Sequence, residues 1–262
     1  MPSTRSSVAM PASHLLPPGQ RPVAGFPRFG THLHRPPPVV SSHPVIQVSG
    51  AVEDPFSVPV AHLADLPRHE VTADFHCVAG WSATDLHWEG VALRTFYETL
   101  VVPRLAAGAT VTHLLFAGLD HYRAVAEIAD VLGPDVVIAD RLNGEPLTPD
   151  HGAPVRLVSP GQYGYVSIKH LCQVQVLEKL PAMKNPAAIR IGPLTVRTPL
   201  IRTHPRARVW QEERHPDLPS WLLRPFYRAF IGPIRTLSAR GSRRATFSSP
   251  RQAPPSPPDV QP

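Results

Sequence analysis

The sequence predicts an α+β fold, with mixed β-sheets and short helices, on three observations. Short apolar runs bounded by turn residues alternate irregularly with helical spacings, without the strand–helix–strand rhythm of a doubly wound sheet. No internal repeat sets a solenoid or propeller period. The prolines are also uneven: ten fall in residues 1–45, nine in 46–180 and fifteen in 181–262. Proline removes a backbone donor and breaks regular elements, so the middle of the chain is the expected folded unit. The expected division is a disordered Pro/Ser-rich stretch over 1–25, the main domain over 26–180, a Pro/Arg-rich extension over 181–238 and a disordered tail over 239–262.

In order, Val45–Val48 reads as the first strand, followed by a turn at Gly50 and Asp54-Pro55. Ala61–Leu66 is a short helical turn closed by Pro67. Glu70–Phe75 reads as a strand that delivers Cys77 to its end. Leu93, Phe96, Tyr97 and Leu100 give helical spacing over Val91–Leu105, interrupted by Pro103. Val111–Phe116 is a buried strand, and Tyr122–Leu132 a helix ended by Gly133-Pro134. Val136–Ala139 and Pro154–Val158 are strands flanking Asn143-Gly144, a strong hairpin-turn signal. Ile168–Leu177 is the last strand of the middle unit.

Residues 201–262 hold eleven Arg against four acidic residues, a surplus of seven, while the whole chain carries +6. Everything before residue 201 therefore sums to −1, and the basic pI belongs to the tail. The folded middle offers no basic face, which argues against a nucleic-acid partner. Two cysteines do not make a disulfide framework. No apolar run reaches the roughly 18 residues of a membrane span, and Met1–Leu16 lacks the charged-then-apolar order of an export signal. Cytoplasmic residence is the expectation.

Chemistry concentrates first at Asp74-Phe75-His76-Cys77-Val78-Ala79-Gly80-Trp81-Ser82. A thiolate is a soft ligand suited to a redox-active metal, and a strand end followed by Ala79-Gly80 holds it rigidly, with Trp81 placed to pack over it. A lone cysteine is otherwise most often a core residue. His76 and His87 invite a zinc reading, but no second nearby Cys, C-x-x-C or H-x₃-H spacing supports it.

A second concentration runs through His151-Gly152-Ala153-Pro154-Val155-Arg156 to Ser167-Ile168-Lys169. His151 and Arg156 straddle a rigid proline and can present donors to one ligand. Arg offers a planar fork and Lys a point charge to an anion, and the backbone at Ser167-Ile168 can add a nest of amides. The plainer alternative is that these are solvated surface charges.

The run Cys77-Val78-x-x-Trp81-Ser82 with Trp88-x-Gly90-Val91 resembles the sulfite oxidase-like molybdopterin oxidoreductases. The likeness is nearest to the catalytic subunits of periplasmic methionine sulfoxide reductases. Asn143-Gly144-Glu145-Pro146-Leu147, His151 to Leu157, Pro160, Tyr163-Gly164 and Lys169 continue it in order and spacing. It extends from about Phe29 to Leu180. The resemblance implies a sulfite oxidase-type molybdopterin-binding fold and one molybdenum-molybdopterin, with Cys77 ligating the metal. It implies that His32, His151, Arg156, Ser167, Ile168 and Lys169 hold the cofactor. It also implies oxygen-atom transfer to or from a small substrate, coupled to two electrons exchanged with an electron-transfer partner. Two positions depart from the family: Val166 stands where many relatives have a lysine, and Gly30 replaces a substrate-side arginine.

No cation follows Cys77 directly, so a small S- or N-oxide is the expected substrate rather than sulfite. The alternatives are a sulfite oxidase proper, a non-enzymatic binding or assembly module that keeps the fold, and a structural domain whose matches are packing residues. Residues 217–238 set aromatics and arginines at helical spacing, suited to packing on the domain, to a partner or to an anionic membrane surface.

Overall fold

The computed structural model describes residues 15–28, 36–181, 188–191, 194–197, 204–216, 219–225, 227–229, 231–233 and 236. His32, Gly30, Arg35 and the predicted tail over 239–262 lie outside them.

The strands are β1 (Arg21–Pro22), β2 (Val45–Gly50), β3 (Phe56–Pro59), β4 (Arg68–His76) and β5 (Trp81–Ala92). After α1 (Leu93–Phe96) come β6 (His113–Gly118) and β7 (Arg123–Glu127), then α2 (Ile128–Val131) and β8 (Val137–Leu142). β9 (Glu145–Pro146), β10 (Arg156–Val158), β11 (Leu171–Leu177), β12 (Ala188–Ile191) and β13 (Leu194–Arg197) complete the order.

Two sheets form the α+β body. The five-stranded sheet runs β3-β2-β11-β6-β7, with β11 parallel to β2 and the other pairs antiparallel. The six-stranded sheet is built around β5, which pairs β4 along one edge and β1 then β8 along the other. β9 and β10 both pair β8, and β12 with β13 forms a separate hairpin. The main core joins Ile46, Val48, Leu114, Phe116, Val174 and Val176 of the five-stranded sheet to Leu93, Phe96, Ile138 and Leu157. A second cluster, Phe75, Cys77, Trp81, Trp88, Val137 and Leu147, lies around β4, β5 and β8.

The expected helix over 91–105 starts late. β5 continues to Ala92, and the helical residues break into α1, a π-helical stretch Tyr97–Val101 and a 3₁₀ turn Val102–Arg104. Pro103, which cannot donate to an α-helical ladder, sits in that last turn. The expected helix over 122–132 is a correction: Arg123–Glu127 is an edge strand and only Ile128–Val131 is helical. Pairing with β6 overrides the local spacing. The Asn143-Gly144 turn does close a hairpin, between β8 and β9, with φ of 53° and 79° at its two residues. Those left-handed values suit the right-handed strand twist.

The N-terminal stretch also differs from expectation. Residues 15–28 are folded: β1 pairs Trp81 and Ser82 of β5, and Val23 and Phe26 pack on the second cluster. Of the extension, Ala207 and Val209 are buried, Tyr227 and Ile231 reach the second cluster, and residues 220–225 are helical.

Candidate active site

Cys77 opens the turn between β4 and β5. Its N–H donates to Trp81 O at 2.9 Å, and Gly80 N–H donates to Cys77 O at 2.9 Å. Gly80 has φ +95°, the left-handed conformation such a turn needs. Two segments distant in sequence clamp it. Gln20 Nε2 donates to Cys77 O at 3.1 Å, and Ser82 Oγ donates to Gln20 Oε1 at 3.1 Å while meeting His76 Nδ1 at 2.8 Å. From the other side Arg214 Nη1 donates to Val78 O.

The thiol is buried, and desolvation pushes its pKa up to about 12. The Ala79 amide and the cations Arg214 and Lys169 act against that rise. The sulfur is therefore a protonated, dry thiol until something cationic takes the proton's place. Cys172, by contrast, is half-buried in β11, where Sγ lies 3.5 Å from Ala117 O.

Arg156 begins β10 and is completely buried. Its guanidinium donates to His151 O at 3.0 Å and Ser167 O at 3.1 Å, both neutral carbonyls. Its carbon sits 5.5, 5.4 and 5.2 Å from the rings of Phe26, Phe75 and Trp88, an arrangement that favours a cation. Phe75 and Trp88 belong to the cluster that holds Cys77, so the thiol and the guanidinium share one set of rings. Burial still lowers the Arg156 pKa to about 9.

Lys169 donates to Asp150 O at 2.8 Å, and burial with neighbouring Arg156 and Arg28 lowers its pKa to about 7. Arg28 Nε lies 3.4 Å from the Asp150 carboxylate. Arg28, Arg156 and Lys169 thus gather near two carboxylates, Asp150 and, acting more weakly on Lys169, Asp120. Gly152, at φ +107°, lets Arg156 and Lys169 converge: a Cβ there would meet Arg156 Cβ and Lys169 Cα at 3.1 Å.

His151 is half-buried, with Nε2 2.9 Å from Phe26 O, and burial lowers its pKa to about 4, so the ring is neutral. Ser167 accepts from Ser159 N–H through Oγ at 3.1 Å. Ile168 N–H is given to Val166 O at 2.8 Å, and Ile168 O accepts Leu157 N–H. The expected amide nest is thus already bonded within the chain at Ile168. Val166 lies in the main core, away from solvent.

The structure brings Cys77, His151, Arg156, Ser167, Ile168 and Lys169 into one region, and His32 lies outside the described residues. Sequence reasoning missed Gln20, Phe26 and Arg214. Gln20 and Arg214 sit in stretches read as disordered or irregular and Phe26 at the very start of the expected main domain, and the contacts of all three are tertiary, with no periodicity to announce them. No cation directly follows Cys77 in the sequence, but the fold brings Arg214 beside its turn from 136 residues away. Gly164 of the Tyr163-Gly164 pair has a packing reason: a Cβ would fall 2.2 Å from the Phe75 ring.

The donor set fits a molybdenum cofactor. Among the described residues no three His, Cys, Asp or Glu converge to hold a metal, so Cys77 offers a single thiolate. A metal bound that way needs its other ligands from an organic group. The surplus of buried cations at Arg156 and Lys169 suits the phosphate of such a group, and the buried Trp88 Nε1 has no partner.

Known proteins agree. The uncharacterized oxidoreductase YuiH of Bacillus subtilis is 35% identical over 130 residues, 50% of this chain and 63% of that protein. The sulfite oxidase of Arabidopsis thaliana is 27% identical over 57% of this chain and 46% of its own length. A protein-methionine-sulfoxide reductase catalytic subunit of Xanthomonas campestris is 30% identical over 52% and 45%. The chain spans about half to two thirds of the length of these relatives. Residues 34–183 match the oxidoreductase molybdopterin binding domain family, more than half of the 262 residues, and the chain belongs to that family.

Proposed function

We propose that this protein transfers an oxygen atom to or from a small S- or N-oxide type substrate, with Cys77 as the protein ligand of molybdenum. The observation that carries the reading is the dry Cys77 thiol sharing its rings with the uncompensated Arg156 cation. When bound, the molybdopterin supplies the two-electron and oxygen-transfer chemistry.

The chain's residues do the rest. Arg156 and Lys169 bind the cofactor phosphate, since a charge-assisted hydrogen bond is about twice as strong as a neutral one. His151 orients the cofactor, and by resemblance Ser167, Ile168 and His32 complete that set. The cluster of Phe26, Phe75, Trp81 and Trp88 excludes water, which strengthens electrostatic interactions inside it. In the reductive direction an S-oxide, two electrons and two protons give a sulfide and water. The electrons come from an electron-transfer partner, for which the exposed Trp221 and Leu222 supply apolar docking surface.

The test compares reduction of methionine sulfoxide and trimethylamine N-oxide by reduced viologen with oxidation of sulfite by ferricyanide. The reading predicts a higher kcat/KM for an oxide. A specificity constant for sulfite well above both oxides would contradict it and favour a sulfite oxidase proper.

A further inference from the structure

Arg214 lies outside the family-matched segment, in a stretch that sequence reasoning treated as an irregular extension. It is completely buried. A guanidinium taken from water keeps several donors that need acceptors, and each one left open costs free energy. Nη1 has Val78 O, the carbonyl next to Cys77. Among the described residues, Nε and Nη2 have no hydrogen-bond acceptor. The nearest carboxylate, Glu212 Oε1, is 3.9 Å from Nη2 and is already held through both oxygens by Arg224.

The guanidinium carbon lies 4.9 Å from the centre of the Tyr163 ring. The Tyr163 hydroxyl is itself buried without a partner. Two neighbouring side chains beside the Cys77 turn thus carry open donors, one of them charged. A fold that satisfied itself would have placed a carboxylate or carbonyl there.

We infer that Arg214 and Tyr163 form an oxyanion-binding subsite that receives the negatively polarised oxygen of the substrate beside Cys77. The assignment rests on the oxygen-transfer reading for the identity of the substrate, but not for the existence of the site. The fork of Nε and Nη2 can grip one oxygen or two, and the Tyr163 hydroxyl adds a neutral donor. The subsite is covered by Gly19, whose added Cβ would meet Arg214 Nη2 at 3.1 Å and Arg224 Nε at 2.8 Å.

Sulfate is the probe. Its binding to the cofactor-loaded protein is measured by equilibrium dialysis at constant ionic strength in chloride, for wild type, Arg214→Gln and Tyr163→Phe. The expected result is one sulfate site per chain, weakened about tenfold in Arg214→Gln and severalfold in Tyr163→Phe, with pterin per chain unchanged in both. Sulfate should also raise the KM for methionine sulfoxide without lowering kcat.

Equal sulfate affinity in all three proteins, or none in wild type, would overturn the subsite. A parallel loss of pterin in Arg214→Gln would show that the cofactor is the acceptor, and would overturn the substrate assignment. Tyr163→Phe removes one oxygen atom and keeps the ring, so it carries the test if Arg214→Gln does not fold. Sulfate binding without any turnover of S- or N-oxides would contradict the proposed function while leaving the subsite standing.

Discussion

Arg156 and Arg214 are both fully buried guanidiniums flanking the Cys77 cluster, yet the chain treats them differently. Arg156 is caged by three aromatic rings, with three backbone carbonyls as acceptors. Arg214 gives one donor to Val78 O and leaves two open. Hydrogen bonds to neutral carbonyls hold a cation in place without cancelling its charge, so the first site is a fixed positive potential suited to an anion. The second is a set of unfilled donors. A buried charge is expensive unless something completes it, and the two arginines differ in how much completion they await.

Cys77→Ala removes the proposed metal ligand. It should abolish turnover, since no other protein thiolate stands in the cluster, and leave the circular dichroism spectrum unchanged. Full activity in Cys77→Ala would falsify the ligand assignment.

Arg156→Met keeps an apolar stem among the rings and removes the fixed charge. Pterin per chain should fall about tenfold or more. The cofactor-free protein should change stability by about 1 kcal/mol or less, because the three lost hydrogen bonds offset the relief of no longer burying a cation. Unchanged pterin with a large drop in melting temperature would make Arg156 a structural strut and erase the contrast with Arg214.

Lys169 sharpens the comparison through pH. Its folded pKa of about 7 lies below the model-compound value of 10.5. The unfolded chain therefore binds more protons at Lys169 between those two values, and its contribution to cofactor-free stability rises with pH across that window. Lys169→Met should flatten the rise of melting temperature above about pH 7 and lower pterin occupancy severalfold. The same pH slope in wild type and variant would show that the ammonium is solvated. Cys172→Ala, the smallest effect, should cost about 1 kcal/mol by denaturant titration and leave kcat alone, as expected for a half-buried strand residue.

Much of the sheet framework was legible because local pattern and tertiary role coincide there. Val45–Val48 and the Asn143-Gly144 turn have local signals that survive folding. Arg123–Glu127 is where they part: helical spacing suggested a helix, and the free edge of β6 took the segment as a strand. The same line divides the site. Cys77, His151, Arg156 and Lys169 lie in contiguous motifs whose residue types state their chemistry. Gln20, Phe26 and Arg214 act only after chain ends distant in sequence fold onto the Cys77 turn, and proline-rich composition hid them. Their contacts are tertiary rather than set on a repeating face, so no period marks them.

The buried thiol and the fixed cation are together assigned to holding a molybdenum cofactor. That role is tested most directly by assaying molybdenum and acid-released pterin on wild type and Arg156→Met, purified from a molybdenum-replete host. The account predicts about one of each per chain in wild type and loss of both in the variant. Folded wild-type protein carrying neither molybdenum nor pterin would contradict it.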